Sequence, residues 1–176
     1  DKIQNIIEEA RQMGDSIGGV IECAATGLAP GIGSPMFGGV ESKIASLVYG
    51  IPAVKGVEFG MGFKIAEKTG SQVNDCFVKS NDTVKTRTNY NGGVLGGITT
   101  GMPLVLRVAF KPTPSIRKEQ HSLNLETGEQ EKVSIQGRHD PCIALRCPVI
   151  VESAVALSLM DLYMEAKGYE IGSNQR

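Results

Sequence analysis

The spacing of hydrophobic residues along the chain predicts three helices. Apolar side chains recur at helical spacing over residues 3–13, and a glycine follows as a suitable terminator. The same periodicity over residues 40–50 predicts a second, amphipathic helix, which Pro52 would end. A third helix is predicted over residues 148–166, with a proline in its first turn. This segment is apolar on nearly every side, so we expect it to be buried.

Other segments have the patterns of strands and loops. Residues 16–25 and 54–59 are short apolar stretches, and residues 104–110 alternate between large apolar residues and others, which predicts three strands. Hydrophobic pairs on both sides of a Thr-Gly dipeptide within residues 123–135 predict a hairpin with a longer turn. Residues 74–91 are polar, and we expect them to form an exposed, mobile excursion.

The order of these elements favours an α+β fold with antiparallel strands. Strands and helices alternate without the regular βαβ spacing that a doubly wound parallel sheet requires. We find neither an internal repeat nor a linker that would divide the chain into two domains. One domain, or part of one, is therefore expected for residues 1–176.

Composition narrows the classes of function. Hydrophobic residues make up 41% of the 176 positions, so a packed core is expected. The net charge of -1 argues against a basic nucleic-acid surface, and the absence of Trp argues against an aromatic stacking platform. Glycine is unusually frequent at 22 residues, many of them in pairs, which predicts tight turns or close backbone approach to a ligand.

The cysteines and the ends of the chain indicate a cytoplasmic protein with no metal site. No C-x-x-C pair is present, and with only two histidines a structural zinc site is poorly supported. We interpret the four cysteines as reduced thiols. No segment predicts a membrane span or a signal peptide. The chain lacks an initiator Met and opens in a helical pattern, as expected for part of a longer chain.

The first polar island is Lys111-Pro112-Thr113-Pro114-Ser115, directly after a predicted strand. Two prolines fix the turn, which presents a cation and two hydroxyls from one rigid corner. Phosphate recognition needs a positive charge and several fixed donors. The alternative is a strand-ending turn with a solvated lysine.

Two further islands could also belong to a site. In GRHDPC, residues 137–142, Arg138 could bind a carboxylate or phosphate, and Asp140 could pair with Arg138 or His139 or orient a reacting group. A structural hydrogen bond is the alternative for this His-Asp pair. The Gly-rich run TNYNGGVLGG, residues 88–97, fits neither a Rossmann fingerprint nor a P-loop. Its glycines would let backbone approach a flat or anionic ligand, or simply form a tight turn.

Together, these segments resemble the chorismate synthase family over almost the whole chain. The combination of GRHDPC and KPTPS at this separation is far more specific than either motif alone. The similarity is carried, in chain order, by GDSIGGVIEC (14–23), IPAVKGVEFGMGF (51–63), GSQVND (70–75), TNYNGGVLGGITTG (88–101), VAFKPTPSI (108–116), GRHDPC (137–142) and CPVIVESAVAL (147–157).

The resemblance implies an activity and a cofactor. Members of the family convert 5-enolpyruvylshikimate 3-phosphate into chorismate, by anti 1,4-elimination of phosphate and a ring hydrogen, in the pathway to the aromatic amino acids. The reaction needs reduced FMN but has no net redox change, so the cofactor supplies the difficult chemistry and the protein supplies positioning.

The resemblance also assigns roles to residues. It implies that FMN contacts the backbone of Pro52 and Ala53, lies close to Gly96, and has its phosphate held by residues 111–115. Arg138 would lie between flavin and substrate. The remaining two expectations are that Asp140 assists proton handling near the flavin N5 and that Asn89 approaches the cofactor.

The resemblance implies as well that this chain is incomplete. Family members are roughly twice as long, and their N-terminal half carries the paired catalytic histidines and the arginines that hold the substrate. His139 and His121 do not match that pair. The chain is therefore expected to be the C-terminal part of one chorismate synthase domain and to be inactive alone. The family fold is a β-α-β sandwich of antiparallel sheets around helices, assembled as a homotetramer.

Three other interpretations remain open from the sequence. The chain could be a non-catalytic FMN-binding or interaction module that reuses the same fold. It could be a phosphate-binding hydrolytic enzyme that uses residues 138–140, although it lacks metal ligands and an activated nucleophile. Finally, it could be a structural protein without a ligand.

Overall fold

The computed structural model describes residues 2–80 and 83–173. The four α-helices are α1 (Lys2–Gln12), α2 (Val40–Tyr49), α3 (Gly70–Val73) and α4 (Pro148–Ser173). The nine strands are β1 (Gly19–Ala25), β2 (Val54–Phe59), β3 (Phe77–Ser80), β4 (Thr83–Thr86), β5 (Val94–Leu95), β6 (Ile98–Thr99), β7 (Leu104–Phe110), β8 (Gln120–Leu123) and β9 (Gln130–Val133). Two 3₁₀ helices cover Gly62–Glu67 and Ile143–Arg146.

A three-stranded antiparallel sheet with the order β1-β7-β2 is the centre of the fold. The central strand β7 alternates between buried and half-buried residues along its whole length, as the sequence predicts. Within the described ranges, β1 and β2 pair only with β7, so each has one edge without a neighbouring strand. The described residues also form three separate two-stranded antiparallel sheets: β3-β4, β5-β6 and β8-β9.

Helices α2 and α4 cover one face of the sheet and form the core with it. Val40, Ile44 and Val48 of α2 recur every four residues on one side of the helix, and all three are fully buried. They pack in one cluster with the inward-facing residues of β7 and with residues of α4 such as Val151 and Leu162. The α+β class with antiparallel strands is thus confirmed.

The expectation that the third predicted helix is buried on all sides is wrong for this chain. One face of α4 packs on α2 and the sheet, but the opposite face has no covering layer among the described residues. A helix that is apolar all round still contacts a single sheet through one face only. Six large apolar side chains of α4 are consequently exposed: Val149, Ile150, Leu157, Met160, Tyr163 and Met164.

Two other expectations need correction. The strand predicted at residue 16 begins at Gly19, because Ser16 and Ile17 form hydrogen bonds with other loops instead of strand pairs with β7. The segment 74–91 is more structured than its polarity suggested, since it contains the β3-β4 hairpin and buries Asp75 and Thr86. Alternation of polar residues is a weak strand signal when both faces of a hairpin are solvated.

No helix in the described ranges is both long enough and apolar enough to span a membrane.

Candidate functional site

The corner that follows β7 lies against the turn that precedes β2. The backbone N–H of Lys111 donates a hydrogen bond to the carbonyl of Ala53 at 2.9 Å, one step beyond the Val54–Phe110 strand pair. Ala53 has a φ of 71°, a conformation that non-glycine residues adopt at a cost of about 1–2 kcal/mol. The structure therefore brings the predicted residues Pro52, Ala53 and Lys111 together at one end of the sheet.

The remainder of this corner offers polar groups without protein partners. The Ser16 hydroxyl donates to the Thr113 carbonyl at 2.6 Å, which anchors the corner to the segment before β1. The side-chain oxygen of Thr113 is buried and has no hydrogen-bond partner in the described structure. Lys111 is exposed and forms no ion pair with any residue described. A cation and an unsatisfied hydroxyl two residues apart in the same turn suit an anion such as phosphate.

The GRHDPC loop is anchored to the same segment. The Ile17 N–H donates to the carbonyl of Pro141 at 2.8 Å. On the other side, the carbonyl of Gly14 accepts hydrogen bonds from the backbone of Arg117 and Lys118 at 3.0 and 3.1 Å. Residues 14–18 thus connect the two islands that the sequence placed more than twenty residues apart.

An open, polar cleft of about 760 Å³ lies beside this connecting segment. Four arginines line it, together with three carboxylates: Arg11, Arg117, Arg138 and Arg146, with Glu8, Asp15 and Asp140. Arg11 is paired with Glu8 at 2.9 Å. Arg138 is exposed and has no ion pair or hydrogen bond within the part of the chain that the structure describes. Its guanidinium is therefore available to a carboxylate or phosphate ligand.

The pairing of Asp140 with Arg138 or His139, one of the alternatives left open by the sequence, is not formed among the described residues. Asp140 lies 3.3 Å from the Arg146 guanidinium through Oδ2, and its Oδ1 accepts the Cys142 N–H at 3.2 Å. The Nε2 atom of His139 is 3.0 Å from the carbonyl of Ile135, and because a carbonyl only accepts, the imidazole donates there. Without a His-Asp pair, the hydrolytic interpretation of this loop loses its main geometric support.

Asn89 and Gly96 lie at the opposite end of the sheet. Asn89 donates from Nδ2 to the carbonyl of Pro103, just before β7 begins, at 2.8 Å. Gly97, beside Gly96, accepts the N–H of Val40 at the start of α2, whereas Pro52 follows the end of that helix. Ten helical residues correspond to about 15 Å. Within one chain, the structure thus does not bring Asn89 and Gly96 next to the Lys111 corner.

This second group has features of a binding surface of its own. Gly96 is exposed with a φ of 61°, and a Cβ added there would meet nothing within 4 Å. The Oδ1 atom of Asn89 is buried and has no hydrogen-bond partner in the described structure. Because Pro103 offers only an acceptor, it is the amide nitrogen that must face it, which leaves Oδ1 as the unsatisfied atom. Such an atom indicates a missing donor.

Comparison with known proteins assigns the chain to a family. The sequence profile of the chorismate synthase family matches residues 1–164. The chain belongs to the chorismate synthase family. It is 51% identical over 158 residues to the chorismate synthase of Chitinophaga pinensis, an alignment that covers 90% of this chain and 47% of that protein. It is 47% identical over 174 residues to that of Pyrococcus abyssi, covering 99% of this chain and 49% of the relative.

A solved chorismate synthase structure has the same fold over the matched part. The TM-score is 0.76 with 32% sequence identity, and the match covers 94% of this chain and 42% of the solved chain. The chain spans about half the length of the curated chorismate synthases that it matches. The structure accordingly shows a partial chorismate synthase fold, which includes one three-stranded sheet with helices α2 and α4 on one face.

Some residues of the cleft were not found from the sequence. Three arginines that line it, Arg11, Arg117 and Arg146, lie outside the motifs that carry the resemblance to chorismate synthase. The signal for the connecting segment was present in GDSIGG (14–19), where a Cβ on Gly18 would collide with the carbonyl of Phe110. Paired glycines next to a strand indicated close packing, but not which loops would meet there.

Proposed function

We propose that this chain is the C-terminal part of a chorismate synthase, a lyase that eliminates phosphate from 5-enolpyruvylshikimate 3-phosphate to give chorismate. Family membership over residues 1–164 carries this proposal. The chain alone is expected to be inactive, because it spans about half of its relatives and matches no part of the paired histidines that the family uses. As in the sequence-based expectation, we place the protein in the cytoplasm.

The residues present are compatible with FMN at the Lys111 corner. Phosphate recognition needs a cation and hydroxyl or N–H donors, and this corner supplies the free ammonium of Lys111 and the unpartnered hydroxyl of Thr113. Pro114 and Ser115 complete the rigid turn, and Pro112 restricts the backbone on its other side. The left-handed conformation of Ala53 fits a backbone that turns toward a ligand.

Each residue has one task in this proposal. When bound, reduced FMN would supply the electron density that the elimination needs. Lys111 holds the cofactor phosphate, and Arg138 orients an anionic group of the substrate in the cleft. Asp140 exchanges a proton at its carboxylate, held in place by the Cys142 N–H and Arg146. Asn89 and Gly96 contact the cofactor from the other end of the sheet. The complete site must therefore include residues from outside the Lys111 corner of a single chain.

The uncovered surfaces support a larger assembly. The exposed apolar side of α4 and the free edges of β1 and β2 are features that proteins normally cover. We infer that the remainder of the domain covers α4, as the second layer of a β-α-β sandwich, and that the complete protein forms a homotetramer.

The first experiment measures flavin binding by the 176-residue chain and by the chain supplied with the rest of a full-length relative. Reduced FMN is titrated without oxygen and followed by its absorption, and release of phosphate from 5-enolpyruvylshikimate 3-phosphate is then assayed. We expect turnover only in the completed protein. Turnover by the chain alone would overturn the proposed incompleteness, whereas flavin binding without turnover in the completed protein would support the non-catalytic module instead.

A pair of lysine variants tests the corner itself. Lys111→Ala removes one charged contact to phosphate, which is worth about 1.5–3 kcal/mol, so the dissociation constant for FMN should rise about 10- to 100-fold. Lys79→Ala removes an exposed lysine from β3 and serves as the matched control. Equal affinities of the two variants would contradict the assignment of the phosphate to Lys111.

A further inference from the structure

The GSQVND segment ends in a buried carboxylate that none of the proposed roles uses. Asp75 is only 8% exposed. Four hydrogen bonds reach it: the Thr88 hydroxyl at 2.7 Å and the Tyr90 N–H at 2.9 Å bind Oδ1, while the N–H and the side-chain amide of Asn91 bind Oδ2 at 2.9 and 2.8 Å. All four donors come from residues 88–91, a single loop.

No cation among the described residues pairs with this buried charge. A carboxylate in such a position is stabilised only by the dipoles around it. Desolvation by burial on its own would raise the pKa of Asp75. The hydrogen bonds from Asn91, Thr88 and Tyr90 outweigh that effect and hold the pKa below its ordinary value. The charged form, and with it the geometry of the loop, is therefore maintained near neutral pH.

The residues that Asp75 holds lie on both sides of Asn89. Oδ1 accepts from Thr88 and from Tyr90, so Asn89 lies between two fixed points. The Asn89 side chain is fixed by the hydrogen bond from its Nδ2 to the carbonyl of Pro103. Its Oδ1 accepts no hydrogen bond in the described structure.

Backbone hydrogen bonds also fix this loop, residues 88–92, to the central sheet. The N–H of Met61 donates to the carbonyl of Tyr90 at 2.8 Å, and the N–H of Val105 donates to the carbonyl of Gly92 at 3.1 Å. These bonds set where the loop lies relative to β2 and β7. They contact the residues after Asn89. Before Asn89, the Thr88 hydroxyl donates to Asp75 and the Thr88 carbonyl accepts from the Thr86 hydroxyl at 2.6 Å. Loss of the carboxylate would release the Thr88 hydroxyl and the Tyr90 N–H, while the anchor to the sheet remains.

We propose that Asp75 is a positioning residue that fixes residues 88–91, so that Asn89 presents its Oδ1 to an N–H or O–H group of the bound cofactor. This inference rests on the proposed function, because it takes FMN as the ligand of Asn89. Asp75 touches neither cofactor nor substrate in it; it acts through Thr88, Tyr90 and Asn91.

Asp75→Asn provides the test, because it keeps the size of the side chain and replaces one acceptor by an NH₂ group. At the Oδ2 position that group faces two donors of Asn91, and at the Oδ1 position it faces the Thr88 hydroxyl and the Tyr90 N–H. Either orientation therefore loses at least one backbone hydrogen bond to residue 75. Thr88→Val removes a single donor and should give a smaller effect in the same direction. Asp161→Asn, an exposed carboxylate paired with Lys43, is the matched control for the loss of a charge.

Two measurements are made on each purified protein. Amide hydrogen exchange without flavin reports the order of residues 88–92, and titration with reduced FMN, in the protein completed with the rest of a relative, reports affinity and the absorption of bound flavin. For Asp75→Asn we expect at least about tenfold faster exchange in that loop, at least about tenfold weaker FMN binding and a shifted flavin absorption band.

The outcomes separate this inference from the proposed function. Faster exchange with unchanged FMN affinity and absorption would overturn the positioning role and leave the proposed function standing. If the unaltered completed protein does not bind FMN, the proposed function fails and the cofactor part of this inference fails with it. If Asp75→Asn does not fold, Thr88→Val decides: weaker FMN binding supports the inference, and unchanged binding overturns it.

Discussion

In the two-residue turn between β5 and β6, single substitutions can distinguish the cost of backbone strain from the cost of close packing in the free energy of unfolding. Gly96 and Gly97 are its central residues, with φ values of 61° and 83°, as a type I′ turn requires. They differ in surroundings. A Cβ on Gly96 would meet nothing within 4 Å, whereas a Cβ on Gly97 would lie 2.7 Å from the carbonyl oxygen of Ser34 and 3.1 Å from the Cα of Gly39.

The expected losses follow from that difference. Alanine in the left-handed region costs about 1–2 kcal/mol at either position. At Gly97 the backbone of Ser34 and Gly39 must also move, and overpacking of this kind costs typically about 1–3 kcal/mol more. The free energy of unfolding should therefore fall by about 1–2 kcal/mol for Gly96→Ala and by about 2–5 kcal/mol for Gly97→Ala.

Urea unfolding followed by far-UV circular dichroism measures both values on the same protein. Comparing the two alanine variants with each other cancels the strain that they share. The reasoning is refuted if Gly97→Ala is no more destabilising than Gly96→Ala. A second comparison concerns binding: because the open side of Gly96 is where we expect the flavin, Gly96→Ala should weaken FMN binding more than its small loss of stability would suggest.

Three other predictions concern the core, a buried hydroxyl and pH. Leu162→Ala should lower the free energy of unfolding by about 2–5 kcal/mol, because the side chain is fully buried, whereas Leu157→Ala, 66% exposed, should change it by less than about 0.5 kcal/mol in the isolated chain; equal values in urea titrations would contradict the one-sided burial of α4. Thr99→Val should cost about 1–3 kcal/mol in the same assay, because the Thr99 hydroxyl accepts the Ile32 N–H at 2.9 Å and is only 3% exposed; a neutral effect would show that these groups find other partners. Since the folded-state pKa of Asp75 is lowered, its contribution should be complete above the unfolded value of about 3.9 and be lost as pH falls through the folded value; the difference in stability between native protein and Asp75→Asn should therefore shrink on acidification, and a difference that grows would contradict the sign.

Much of the fold could be predicted from local patterns. Helix α2 and strand β7 follow from periodicity, because each has one face in the core and the spacing of apolar residues reflects that face. The exposed side of α4 could not be predicted. An apolar residue in the sequence does not show whether the layer that covers it belongs to the same chain. Asp75 was also missed as a buried residue, because its partners follow it by thirteen positions or more.

The site was predicted only in part, for a related reason. The Lys111 corner and the GRHDPC loop were each recognised, but their junction through Ser16 and Ile17 depends on tertiary contacts. Sequence reasoning also gave no sign that Asn89 and Gly96 lie at the other end of the sheet. Their roles toward FMN, like those of Arg138 and Asp140, remain predictions.

The position of β7 in the centre of the sheet has a consequence for the order of folding. Its two neighbours, β1 and β2, are both synthesised earlier, and Ile21 pairs with Val108, about half the length of the chain away. Among the described residues, β1 and β2 gain no strand partner until β7 has been made, so this sheet cannot grow progressively as the chain elongates. Closing loops of this length before any pairing is gained slows folding, and during that delay both strands expose apolar residues and free backbone groups. The nascent chain is therefore most vulnerable to aggregation just before its central strand is complete.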